Sequence, residues 1–143
     1  MASSQNKTVP TKVTPKSFIE SLEVSTEMKK DVSGLVKFYE KVTGEKCVMW
    51  GKIFGFGSYH YVYDSGRQGD FLASGFAVRS VGIMIYTMMG HAAYPELLKK
   101  LGKYKDSGKS CLMIKKVSDI DLNVLEKLVK SSVADLKNKY KVS

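Results

Sequence analysis

A chain of 143 residues has the size of one domain, enough to bury roughly two-thirds of the surface its unfolded form exposes, so its two distant cysteines, Cys47 and Cys111, are not needed as a staple. The start, Met1-Ala2-Ser3-Ser4-Gln5-Asn6-Lys7, carries no apolar leader, and the most apolar run, Val81 to Met89, falls far short of the roughly 20 residues of a spanning helix; both point away from a membrane and toward a reduced, cytoplasmic setting. The net charge of +9 is concentrated in residues 99–143, where 12 Lys face five carboxylates, yet only Arg67 and Arg79 are arginine, the side chain whose fork reads phosphates and base edges, so this half reads as a solvated lysine surface.

Residues 1–13 are polar, lack periodicity and include Pro10, which predicts a disordered tail, with one domain spanning 14–140. Thr14-Pro15 is a helix start, and Phe18, Ile19 and Leu22 form the apolar patch of a short helix. A longer helix is capped by Ser25 or Thr26, runs through Met28, Val32, Leu35, Val36, Tyr39 and Val42 at three- and four-residue spacing, and stops at Gly44. From Cys47 to Tyr86 the period changes to two, which predicts four antiparallel strands, with Tyr59 and Tyr61 on one side of a strand and His60 on the other. Tyr94 to Gly102 reads as a short helix with Leu97, Leu98 and Leu101 inward, and Ser110 to Lys115 as another strand. A last helix starts at Ser118 or Asp119 and carries the stripe Leu122, Leu125, Leu128, Val129, Val133 and Leu136. Helices gathered on one face of an antiparallel sheet make an α+β, two-layer sandwich.

The densest segment is Met49 to Tyr61, where Trp50, Phe54, Phe56, Tyr59 and Tyr61 alternate with Gly51, Gly55 and Gly57. Glycines between aromatics let backbone turn tightly or approach another group, so the segment predicts a buried bend beside a ligand pocket. The glycines lack the following helix of a dinucleotide fingerprint, and Ser107-Gly108-Lys109-Ser110 lacks the opening glycine of a phosphate loop, Lys103 standing in that place. His60 and His91 have no metal-ligand spacing, no nucleophile elbow is present, and Asp64 and Asp70 are the only carboxylates of the middle third, so a non-catalytic protein without a resident cofactor is expected. The candidate ligand contacts are Trp50, Gly51, Gly55, Tyr59, His60, Tyr61 and Tyr86, with Arg79 and Lys109 for an anion.

Two segments, Met49-Trp50-Gly51 through Tyr59-His60-Tyr61 and Tyr94 through Lys105 with Gly108-Lys109-Ser110-Cys111-Leu112 and Asp119-Ile120-Asp121, resemble the YdhG-like family, a bacterial domain-of-unknown-function family, over roughly Thr14 to Leu136. The resemblance implies a frataxin-like sandwich, and its description of some relatives as frataxin-like iron chaperones makes ferrous iron the alternative ligand. Carriage of iron would fall to Glu20, Glu23, Glu27 and Asp31, which share a face only if one helix runs through Ser25. The expectation is a small binding domain for an unidentified ligand, with the iron chaperone and weak, salt-sensitive nucleic-acid binding as alternatives, and a homodimer open to it through an exposed strand edge.

Overall fold

The computed structural model describes residues 10–62, 65–66, 68–80, 82–88, 90–106, 111–139 and 141–142. Among the described residues four helices and seven strands form a mixed α+β fold: α1 (Pro15–Ser21), α2 (Thr26–Thr43), β1 (Cys47–Trp50), β2 (Ile53–Val62), β3 (Gln68–Arg79), β4 (Gly82–Tyr86), α3 (Pro95–Leu101), β5 (Lys105–Asp106), β6 (Cys111–Ile114), α4 (Leu122–Lys139) and β7 (Lys141–Val142). Every strand pairing is antiparallel, in the order β1-β2-β3-β4-β6-β5, and β7 adds to β2 beyond the end of β1. Among the described residues no helix is long and apolar enough to cross a membrane.

The helix ends follow their local chemistry. Thr14 accepts the Ser17 N–H at 3.1 Å with Pro15 in the first turn, and Ser25 accepts the Met28 N–H at 3.1 Å, each satisfying a donor that the helix itself cannot. Gly44 ends α2 in the left-handed region, φ 74°. The last helix departs from the sequence expectation: Val117–Asp119 is a 3₁₀ turn, and the cap is Asp121, whose carboxylate accepts the Asn123 N–H at 2.8 Å. This later start turns Leu122 out of the core, 38% exposed, while Val124 enters it. Backbone pairing also begins ahead of Thr14, because the Thr11 N–H donates to the Met49 carbonyl at 2.7 Å and Pro10 bridges Trp50.

One core joins the helices to one face of the sheet. Val32, Leu35, Val36 and Tyr39 of α2 and Leu125, Leu128 and Val129 of α4 pack with Phe54, Phe56, Phe76, Ile83, Ile85, Leu112 and Ile114. Phe54 and Phe76, opposite each other in the β2–β3 register, stack at 4.7 Å and 9°, and Tyr39 stacks on Phe56 at 4.9 Å. The Tyr39 hydroxyl is fully enclosed there and has no hydrogen-bond partner among the described residues. Its burial drives the phenol pKa well above the usual tyrosine range, since a phenolate could not be solvated.

Candidate binding face

Alternation along the strands places a second set of residues on the opposite face of the sheet. Across β6, β4, β3 and β2 one row reads Cys111, Tyr86, Gly75 and Gly55, and the neighbouring row reads Met113, Met84, Ala77 and Ile53. Arg79, two residues beyond Ala77, belongs to the same face, and its Nη2 donates to the Tyr86 hydroxyl at 3.0 Å. The guanidinium therefore reaches along the sheet past the row of Ala77 and Met84, and Ala77 is wholly covered. Met84, Tyr86, Cys111 and Met113 stay half-buried and Arg79 exposed, so this face is apolar with one cation and one phenol on it.

The glycine-aromatic bend forms one end of this face. Gly57 adopts φ 72°, and the step between Phe56–Ser74 and Ser58–Leu72 is where pairing with β3 is interrupted. Just beyond this step, Leu72 lies against both paired glycines, Gly55 and Gly75. The Trp50 indole covers Gly55 so closely that a Cβ there would lie 2.5 Å from Cδ1 and 2.8 Å from Nε1. Phe71 meets the same indole edge-on at 5.8 Å. The bend read from the sequence is present, but Trp50 and Leu72 fill it from within, and Trp50 is only 5% exposed.

The sequence-predicted contacts divide accordingly. Trp50, Gly55, Arg79 and Tyr86 come to one sheet face, although 29 positions separate the first pair's start from Arg79. Gly51 lies in the exposed turn between β1 and β2, away from it. Tyr59 and Tyr61 lie beyond Gly57 on the hairpin's outer arm with rings 6.1 Å apart, and Tyr61 is buried. His60 points to the other side of that arm, where Nδ1 meets the Asp70 carboxylate at 2.9 Å and Nε2 the Gln68 side-chain oxygen at 3.1 Å. The Asp70 hydrogen bond, seconded by Gln68, raises the imidazole pKa above 6.5 because two acceptors favour the doubly protonated ring. Lys109 and the Ser107-Gly108-Lys109-Ser110 turn lie outside the described residues.

No family model, no curated protein and no solved structure matches the chain.

The two cysteines have different surroundings. Burial, seconded by the Glu40 charge, pushes the Cys47 thiol up to about 12, and Glu40 itself is held by the Cys47 N–H at 3.0 Å. Burial also raises Cys111, opposed by the nearby Arg79 cation.

The four acids proposed for iron do not converge. α1 ends at Ser21 and α2 begins at Thr26, so the single helix that would align them is absent. Asp31 instead accepts the Val117 N–H at 3.0 Å and ties α2 to the 3₁₀ turn, while Glu20 borders a groove between α1 and α2 beside Lys16 and Lys37. Among the described residues no three His, Cys, Asp or Glu side chains form a group able to hold a metal ion.

Two features were not found from the sequence. His91, in the 3₁₀ turn before α3, is buried with Nε2 at 2.5 Å from the Asp106 carboxylate of β5, and its Nδ1 has no partner among the described residues. Beside β5, a groove of about 590 Å³ opens where Lys103, Lys105, Lys115 and Lys116 surround Tyr104 and Met113. Lys105 stands opposite Met113 in the register, so the groove continues the exposed sheet face toward its edge.

Proposed function

We propose that this chain is a non-catalytic binding domain that captures a small organic anion on the sheet face turned away from the helical core. The observation that carries this reading is the Arg79–Tyr86 pair, joined at 3.0 Å among the half-exposed Met84, Cys111 and Met113. An arginine held by a phenol keeps several N–H donors in a fixed plane for a carboxylate or phosphate, and the flanking thioethers adapt to whatever apolar body accompanies it. Trp50 and Gly55 close the far end of the face, so the ligand rests on the surface beside the bend. The element order also supports the narrower reading of a frataxin-like, YdhG-like sandwich, whose iron-carrying version finds no support in the arrangement of Glu20, Glu23, Glu27 and Asp31.

The test is a titration of isotope-labelled protein with phenyl phosphate and with benzoate, followed by amide chemical shifts. Saturable shifts confined to Arg79, Met84, Tyr86 and Cys111, abolished by Arg79→Gln with the melting temperature unchanged, are expected. Shifts that persist in Arg79→Gln, or no residue-specific shift with either anion, refute the assignment.

A further inference from the structure

The groove beside β5 shares Met113 with the face that carries the Arg79–Tyr86 pair but has its own cations. Four ammonium groups, on Lys103, Lys105, Lys115 and Lys116, border one opening, with the single carboxylate of Asp119 among them. Among the described residues none of the four lies within ion-pair distance of a carboxylate, whereas Lys99 pairs with Glu96 and Lys130 with Glu126 on helices elsewhere. Asp119 contributes its backbone instead, accepting the Lys103 N–H at 2.9 Å, which fixes one wall of the groove to the other. A cluster of unneutralised like charges raises the local potential and favours a multiply charged anion over a single carboxylate.

The lining is not charge alone. Tyr104 is half-buried against the core and Met113 projects from the exposed sheet face, so the groove has an apolar floor with cations around it. A ring laid on a tyrosine and a thioether, with phosphates reaching lysines, uses both parts. The volume of about 590 Å³ falls inside the ~300–1,000 Å³ of small-molecule pockets. A groove of that volume suits a compact ligand, whereas a long polyanion would need a continuous track of positive charge.

We propose that this groove is a second binding site, for a small polyphosphate ester carrying a flat body, of the size and charge of a nucleoside triphosphate. The site goes beyond the anion capture assigned to Arg79 and Tyr86 and does not depend on it. Calorimetric titration of the full chain with ATP, tripolyphosphate and adenosine, in the absence of divalent ions, separates the two halves of the recognition. ATP is expected to saturate one site per chain, tripolyphosphate to bind about tenfold more weakly for want of the stacked base, and adenosine to give no signal. Lys105→Gln combined with Lys115→Gln should weaken ATP at least about tenfold while the melting temperature holds, since both side chains are exposed. Tyr104→Phe should retain ATP binding and Tyr104→Leu should reduce it to the level of tripolyphosphate.

The absence of saturable ATP binding overturns the proposal, as does ATP binding that the double lysine variant leaves intact. Single-stranded oligonucleotides whose affinity grows with length and which ATP does not displace would also overturn it, by making the groove part of a nucleic-acid surface. ATP binding that survives Arg79→Gln supports the groove whatever becomes of the Arg79–Tyr86 reading.

Discussion

Replacing Gly55 with alanine tests the closure of the bend. Gly55 does not have a positive φ, so alanine meets no backbone penalty there, and loss of unfolded-state freedom alone would stabilise by about 0.4–1 kcal/mol. Against this, the new Cβ would lie 2.5 Å from Trp50 Cδ1, 2.8 Å from Nε1 and 3.0 Å from Leu72 Cβ, so the indole and Leu72 must both yield. Overpacking of this kind costs about 1–3 kcal/mol when neighbours shift. If the indole leaves its site altogether, re-exposing roughly 150–250 Å² of aromatic surface sets a ceiling of about 4–6 kcal/mol. A urea melt monitored by Trp50, the only tryptophan, reads both quantities at once. The expected result is a net loss of about 1–3 kcal/mol with a red-shifted native emission maximum. A loss below about 0.5 kcal/mol with unchanged emission would refute the packing of Trp50 over Gly55.

Tyr39→Phe removes a buried hydroxyl that makes no hydrogen bond among the described residues, so stability in the same melt should hold or rise by about 1 kcal/mol; a loss above about 1 kcal/mol would reveal a partner for the hydroxyl. The His60 imidazole should titrate above 6.5 by NMR, and Asp70→Asn should bring it down. Because the folded pKa is the higher one, the stability linked to His60 is fully present below pH 6.5 and disappears as pH rises through the folded pKa, a slope that Asp70→Asn should flatten. At pH 8 the native protein should offer a thiol reagent Cys111 well before Cys47, and the unfolded chain both together; equal native rates would contradict the burial of Cys47.

The parts of the fold legible in the sequence are those set by local chemistry. Thr14, Ser25 and Gly44 announce helix ends because their side chains or backbone act within a few residues, and the two-residue period from Cys47 to Tyr86 survives because each strand buries one face. The start of α4 was misplaced because Ser118, Asp119 and Asp121 are all good caps, and only the tertiary bond from Val117 to Asp31 settles the chain into a 3₁₀ turn first. Two-residue strands such as β5 carry no period at all. Of the candidate contacts, Arg79 and Tyr86 could not be paired in advance, because the register sets Arg79 opposite Gly82 and Tyr86 opposite Gly75, and only the reach of the guanidinium along the sheet joins them. The lysine groove could not, since Lys105 and Lys115 resemble any solvated lysine until the β5–β6 register sets them around Met113. The common face that the iron reading needs is interrupted at Leu22 to Ser25, between the end of α1 and the start of α2.

The pairing of Pro10 and Thr11 with β1 has a bearing on self-association. Strand β1 ends the sheet, and an unguarded strand of that kind templates the addition of another chain. Thr11 occupies the Met49 carbonyl twice, through its N–H at 2.7 Å and its hydroxyl at 3.1 Å, while Pro10 presents no N–H to continue the ladder outward. Pro10 and Thr11 thus cover the Met49–Trp50 end of the sheet's border, and removing them would bare those backbone groups to a strand from another chain.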